Sequence, residues 1–231
     1  MRPGPIARAL SRIGRTLRWL VLSLLVSILM EWIGMTLWWP DAGVEHSRAM
    51  LRAEIGYLDR NIGRSLISDT PASFAATFAE NTRYFLFELT GVERLTQTLA
   101  RPARRTSGLR MHLMRLYRHI APFVGAAMTI VQVFAVRLAV LLLATPAFAL
   151  FGLVGLVDGL VRRDLRRWGG GRESSYLYHH AKGSIWRMVL VAWVIYLALP
   201  VSVNPVLILL PSAALFAISI GITAGTFKKY L

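Results

Sequence analysis

Long apolar blocks separated by shorter basic or polar segments dominate the chain. A helix needs about 20 consecutive apolar residues to cross the hydrocarbon core of a bilayer. The four apolar blocks cover residues 17–39, 120–157, 185–199 and 206–227. The pattern therefore predicts an all-α membrane protein with four transmembrane helices.

The second block is about twice as long as one span needs to be. It is interrupted only by Arg137. We place its span at Leu138–Val157 and expect residues 120–136 to form a helix that lies in, or projects from, the outer interface. Two spans within the block are the alternative, and they would move the following basic segment to the other side.

The first block follows a basic N-terminus and has the features of a retained signal anchor. A signal peptide that is removed ends at a small-x-small cleavage site. No such site follows the apolar run at Met30-Glu31-Trp32, and the chain stays apolar to Trp39. Trp32, Trp38 and Trp39 form an aromatic belt at its far end.

Charge positions predict the orientation of the spans. The chain carries 27 Lys and Arg against 12 acidic residues, a net charge of +15. Four spans place three basic clusters, at the N-terminus, in residues 158–187 and in the tail, on one side, which the positive-inside rule makes cytoplasmic. Topology thus explains most of the basic excess, and direct contact with nucleic acid is not expected.

The predicted segments are a cytoplasmic N-terminus (1–16), a first span (17–39), a periplasmic helical region (40–119), an interfacial helix plus second span (120–157), a cytoplasmic loop (158–184), a third span (185–199), a fourth span (206–227) and a cytoplasmic tail (228–231).

The region between the first and second spans has helical signals of its own. Thr70 followed by Pro71 is typical of a helix start, and Gly91 of a helix end. Residues 101–118 carry six arginines and no acid beside a leucine stripe, which predicts an amphipathic helix on phospholipid head groups. The 80 residues from 40 to 119 can form only a small hydrophobic core, so we expect this region to pack on the membrane or on a partner.

Two charged residues lie within apolar blocks. Glu31 lies inside the first span, and Arg137 lies near the outer half of the second. Intramembrane charges are candidate functional sites. We expect the two to form a structural ion pair, with proton or ion transport as the alternative.

Small residues recur at every fourth position of the last span. They are Ala213, Ala217, Gly221 and Gly225, and Gly155 and Gly159 form a shorter pair at the end of the second span. Such stripes allow close helix approach. The ladder predicts helix packing, either within the chain or with a partner.

The basic loop carries a candidate contact surface but no recognisable chemistry. Its glycine run lacks the spacing of a phosphate-binding loop, the chain has no Cys, and the histidines have no carboxylate at metal-site spacing. We therefore expect no enzymatic activity, no cofactor and no metal. The arginines expected to contact anionic lipids or a partner are Arg162, Arg163, Arg166, Arg167 and Arg172.

Two stretches resemble a membrane-protein family of integrative and conjugative elements. The first is VRRDLRRWGGGRESS at 161–175 followed by YHHAK at 178–182, and the second runs from Glu31 through Tyr57-Leu58. Members of that family are typically encoded among conjugative type IV secretion genes, near the coupling ATPase. The resemblance implies a role in DNA transfer between bacteria and no catalytic residue.

The leading hypothesis from the sequence is an accessory inner-membrane subunit of a conjugative type IV secretion system. Its loop 158–184 would contact the coupling ATPase or another subunit. The alternatives are a small transporter or channel that uses Glu31 and Arg137 as polar gates, and an exclusion factor that acts on an incoming mating apparatus through residues 40–119.

Overall fold

The computed structural model describes residues 5–61, 67, 70–100, 108–168 and 189–226, and every regular element within these ranges is helical. The all-α prediction is therefore confirmed for the described residues. The elements are α1 (Pro5–Leu37), α2 (Val44–Asn61), α3 (Pro71–Arg83), a π-helix (Tyr84–Glu88), α4 (Val92–Ala100), α5 (Gly108–Trp168), α6 (Val189–Ala198) and α7 (Pro205–Gly225).

Three of these helices are long and apolar enough to cross a membrane. The candidate spans are Ile13–Leu37, His119–Arg166 and Pro205–Gly225. The predicted third span at 185–199 corresponds to α6, which has ten described residues, while residues 185–188 lie outside the described ranges. The tail at 228–231 also lies outside them.

Helix α5 is longer than the sequence pattern suggests. It continues for 61 residues without interruption, so the expected change from an interfacial helix to a span at Arg137 is not marked by a break. The physical reason is local, because Ala135, Val136 and Leu138 around the arginine contain nothing that ends a helix. The described part of the basic segment, 108–118, is the first three turns of this same helix.

The chain divides into two compact units. The first contains residues up to Val140 together with Leu197–Ser202, and the second contains Leu141–Tyr196 together with the residues from Val203 onward. In the first unit, Met50 of α2 packs with Ile130 and Val133 of α5, and Ile28 of α1 joins them. Helix α2 thus lies directly against two of the most apolar segments of the chain.

The middle part of the first unit confirms two predicted boundaries. Helix α3 has Thr70 at its N-cap and Pro71 as its first residue. Gly91 has a φ of +76°, a conformation that suits glycine, and it separates the π-helix from α4. Arg83 pairs with Glu88 and Glu93 at 2.8 Å each, which holds the end of α3 and the start of α4 together.

Candidate functional site

A buried arginine on α5 is the most highly connected polar group in the first unit. The Arg137 side chain is 1% exposed, and Glu54 of α2 is 0% exposed. The Nε and Nη2 atoms of Arg137 donate to Glu54 Oε1 at 3.0 and 2.8 Å. A buried charge is tolerated only when it is paired and its hydrogen bonds are satisfied, and this contact supplies the pairing.

The same guanidinium also binds the segment that follows α6. Its Nη1 donates to the Leu199 carbonyl at 2.6 Å, and its Nη2 donates to the Val201 carbonyl at 2.8 Å. These carbonyls come after the last residue of α6, and Pro200 between them has no N–H to donate. Arg137 therefore supplies donors where the helix has ended, and it links α5, α2 and this segment.

The prediction that Glu31 and Arg137 pair with each other is wrong. Arg137 binds Glu54, while Glu31 of α1 contacts His46 of α2, with 3.0 Å between Glu31 Oε2 and His46 Nδ1. The reason is the position of α2, which the sequence pattern assigns to a separate polar region. It packs against α1 and α5 instead, and its two polar residues, eight positions apart, each meet one of the buried charges.

Glycine at position 34 makes room for the aromatic part of this arrangement. The Trp39 ring stacks on the His46 ring, with 3.9 Å between centroids and 19° between planes. A Cβ atom on Gly34 would overlap the Trp39 ring, with Cη2 only 2.7 Å away. The Gly34 carbonyl accepts the N–H groups of Trp38 and Trp39 at 2.9 Å each. The end of α1 and the start of α2 are thus fixed around the Glu31–His46 pair.

These two pairs are structural ties rather than an active site in the described part of the chain. Each carboxylate is engaged by a basic partner, so neither is presented to a substrate. Within the described ranges, no group of three or more His, Asp or Glu side chains is placed to hold a metal ion. The geometry explains how charges are accommodated among apolar helices.

The second unit is held by close backbone contact between α5 and α7. A Cβ atom on Gly155 would overlap the Ala217 carbonyl oxygen and lie 2.9 Å from Ala217 Cα. A Cβ atom on Gly159 would lie 2.8 Å from Ala224 Cβ and 3.0 Å from Gly221 Cα. The small-residue ladder therefore meets the glycine pair of α5 within the same chain. We call this contact the glycine seam.

The remaining ladder residues lie along the same face of α7. A Cβ atom on Gly225 would lie 3.4 Å from the Gly159 carbonyl, so the seam extends to the end of α7. Ala213 is buried near the middle of that helix. Only glycine at 155 and 159 permits backbones to approach this closely.

The arginine cluster lies partly on the last turns of α5. Arg162 is exposed and pairs with Asp158 at 2.9 Å, whereas Arg163 and Arg166 are half-buried. The backbone of Arg167 belongs to the same helix. Arg172 lies outside the described residues. Four of the five predicted contact residues thus share one helical segment.

A protein-family comparison decides the relationship of the chain. The model described as "IncC plasmid conjugative DNA transfer protein DtrJ-like" matches residues 38–228. The chain belongs to the DtrJ-like family. The DtrJ-like description concerns conjugative DNA transfer, so the chain is a conjugation-related protein. The predicted link to conjugation is confirmed, while the narrower family of integrative and conjugative elements stays a prediction. No curated protein and no solved structure matches the chain.

The DtrJ-like match includes most of the contacts described above. Glu54, Arg137, the Leu199–Val201 segment and both sides of the glycine seam lie within it, whereas Glu31 precedes it. The sequence pattern alone does not identify Glu54 and His46 as partners. One signal does point to Glu54: it lies between Met50 and Leu58 on the predicted apolar face of α2, where a carboxylate requires a partner.

Proposed function

We propose that this DtrJ-like protein is an accessory inner-membrane component of a conjugative type IV secretion system that binds other subunits, such as the coupling ATPase. The observation that carries the proposal is the family match over residues 38–228. The structure is consistent with an accessory role, because its buried polar groups serve helix packing and leave no arranged active site among the described residues.

The proposed topology has four spans with both chain ends in the cytoplasm. Helices α1, α5 and α7 supply three candidate spans, and α6 belongs to the third predicted span. The arginines before α1, the arginines at the end of α5 and Lys228-Lys229 after α7 would then lie on one side. Residues 40–119 would be periplasmic, although α2 packs against the apolar helices rather than standing apart from them.

The proposed contact surface is the cytoplasmic segment 158–184. Its described part is the arginine-bearing end of α5, where Arg162 is exposed. Arginines next to a membrane bind anionic lipid head groups, and they also select acidic surfaces on partner proteins. Direct contact with nucleic acid is not part of the proposal.

The observed side-chain contacts remove the main support for the transporter hypothesis. It depends on Glu31 and Arg137 as polar gates, and both side chains are engaged by residues of α2. A pathway for ions needs polar groups that can exchange partners. No contact among the described residues supports the exclusion hypothesis specifically. The recipient-cell experiment below distinguishes it from the proposed function.

The proposed function is tested by deletion and purification. Deleting the gene from a conjugating donor should lower DNA transfer strongly, and the wild-type gene should restore it. The tagged protein should co-purify with secretion subunits from donor membranes after crosslinking. Normal transfer from the deleted donor would overturn the proposal. Reduced transfer into recipients that express only this protein would instead favour an exclusion role.

A further inference from the structure

The end of α5 carries an exposed apolar stripe that the proposed function does not explain. Its five residues follow one another at intervals of three or four, and each side chain is between 51% and 91% exposed. Residues at this spacing lie on one side of an α-helix. The stripe consists of Val154, Val157, Val161, Leu165 and Trp168.

The stripe faces away from the glycine seam. At 3.6 residues per turn, its five residues fall within an arc of about 80°. Gly155 and Gly159 point to the opposite half of the helix, where they meet α7. Helix α7 is therefore not the element that covers the stripe.

Helix α5 also continues beyond the point where α7 ends. Gly225, the last residue of α7, lies against Gly159. From Gly159, α5 runs on to Trp168, a distance of about 13 Å. The apolar stripe follows this extension to its end, where Trp168 has the most exposed side chain of the five.

A bilayer surface is a poor occupant for this extension. A helix that leaves a membrane must bend sharply to lie on the surface, and such bends need a proline, a glycine pair or a bulge. Helix α5 is unbroken through Trp168, and its last proline, Pro146, precedes the stripe. In the proposed topology the second span ends at Val157, so Leu165 and Trp168 lie about 12 and 16 Å beyond it along the helix and project into water unless a protein covers them.

The charged residues near the stripe indicate which kind of protein segment can cover it. Residues 160–168 contain four arginines and one acid, Asp164. A second copy would bring two such clusters together. The following residues 169–188 are also basic, with Arg172, Lys182 and Arg187 against one acid. Like charges disfavour both of these occupants, and an acidic partner is complementary.

We propose that the part of the stripe beyond the second span, formed by Val161, Leu165 and Trp168, is the docking face for an amphipathic helix of another conjugation subunit, whose apolar residues are bordered by acidic ones. The inference rests on the proposed function and deepens it by naming the contact element and the chemistry of the partner. Arg162, the exposed arginine nearest the stripe, would pair with those acids, while Leu165 and Trp168 supply the apolar area.

Photo-crosslinking tests which side of the helix is occupied. A photoreactive amino acid is placed at Val161, Leu165 or Trp168 of the full-length protein in conjugating donor cells, and at Leu156, an exposed leucine on the other side of α5 that precedes the segment 158–184. We expect adducts to one partner at the three stripe positions, at least about tenfold above Leu156, mapping to an acidic amphipathic segment. Lipid adducts, adducts to a second copy, or equal adducts on both sides would overturn the proposal.

Substitutions separate this inference from the proposed function. Leu165→Gln with Trp168→Gln should reduce both the partner adduct at Val161 and DNA transfer at least about tenfold, with normal membrane insertion. Leu95→Gln, at an exposed leucine of α4, is the matched control and should leave both unchanged. If gene deletion blocks transfer while the double variant keeps the adduct, only the docking face is wrong. If deletion leaves transfer normal, the proposed function fails.

Discussion

The two units of the protein use different means to hold helices together. In the first unit, the contact between Glu31 and His46 joins α1 to α2, and a buried ion pair joins α2 to α5, where the Arg137 guanidinium binds Glu54 and also two backbone carbonyls. In the second, α5 and α7 are joined by close contact of glycine backbones. Ion pairs need exact partners, since an unpaired buried charge is costly, whereas a seam needs only an absence of side-chain bulk. Substitutions in the fully buried Arg137–Glu54 pair should therefore cost more stability than substitutions in the glycine seam.

The largest effect is expected at Arg137. Arg137→Met removes the guanidinium that pairs with the buried Glu54 carboxylate and that donates to the Leu199 and Val201 carbonyls. The expected loss of stability is about 3–5 kcal/mol, the usual cost of breaking a buried pair. Thermal unfolding of the detergent-solubilised protein measures it. The double variant with Glu54→Met should recover part of the loss. Equal stability of Arg137→Met and wild type would contradict the importance of the pair.

An intermediate effect is expected at the glycine seam. Gly155→Val places a branched side chain where even a Cβ atom overlaps the backbone at Ala217, so α7 must move away. Overpacking of this kind costs about 1–3 kcal/mol. Gly14→Ala is the control, because a Cβ atom there meets nothing within 4 Å. Thermal unfolding of the two variants checks the difference. A Gly155→Val protein as stable as the control would mean that the seam tolerates bulk.

The smallest effect is expected at the contact between Glu31 and His46. Glu31→Gln removes the carboxylate charge that faces His46 but keeps a group able to form a hydrogen bond. The His46 side chain is partly exposed, so water can replace some of the lost interaction. A loss of about 1 kcal/mol is expected, within the range for one hydrogen bond. The comparison variant is Glu54→Gln in the fully buried pair. A loss at Glu31 as large as that at Glu54 would show that the two pairs are equivalent.

The same contrast explains what can be predicted from the sequence. The glycine seam can be predicted from the sequence because its residues recur at regular intervals along single helices. The helix boundaries at Pro71 and Gly91 can be predicted because they depend on local backbone preferences. The partners of Glu31 and Arg137 cannot be predicted in this way, because they depend on where α2 packs, and the exposed polar face of α2 suggests a separate region. Only the tertiary arrangement brings His46 and Glu54 to the buried charges.

The position of Arg137 also sets an order of events during synthesis. Glu54 emerges from the ribosome 83 residues before Arg137, and the Val201 carbonyl emerges 64 residues after it. The complete set of contacts can form only when translation has passed the end of α6. A chain that stops earlier lacks the Leu199 and Val201 carbonyls that Arg137 binds. The first unit is therefore completed only after the α5 part of the second unit has been synthesised.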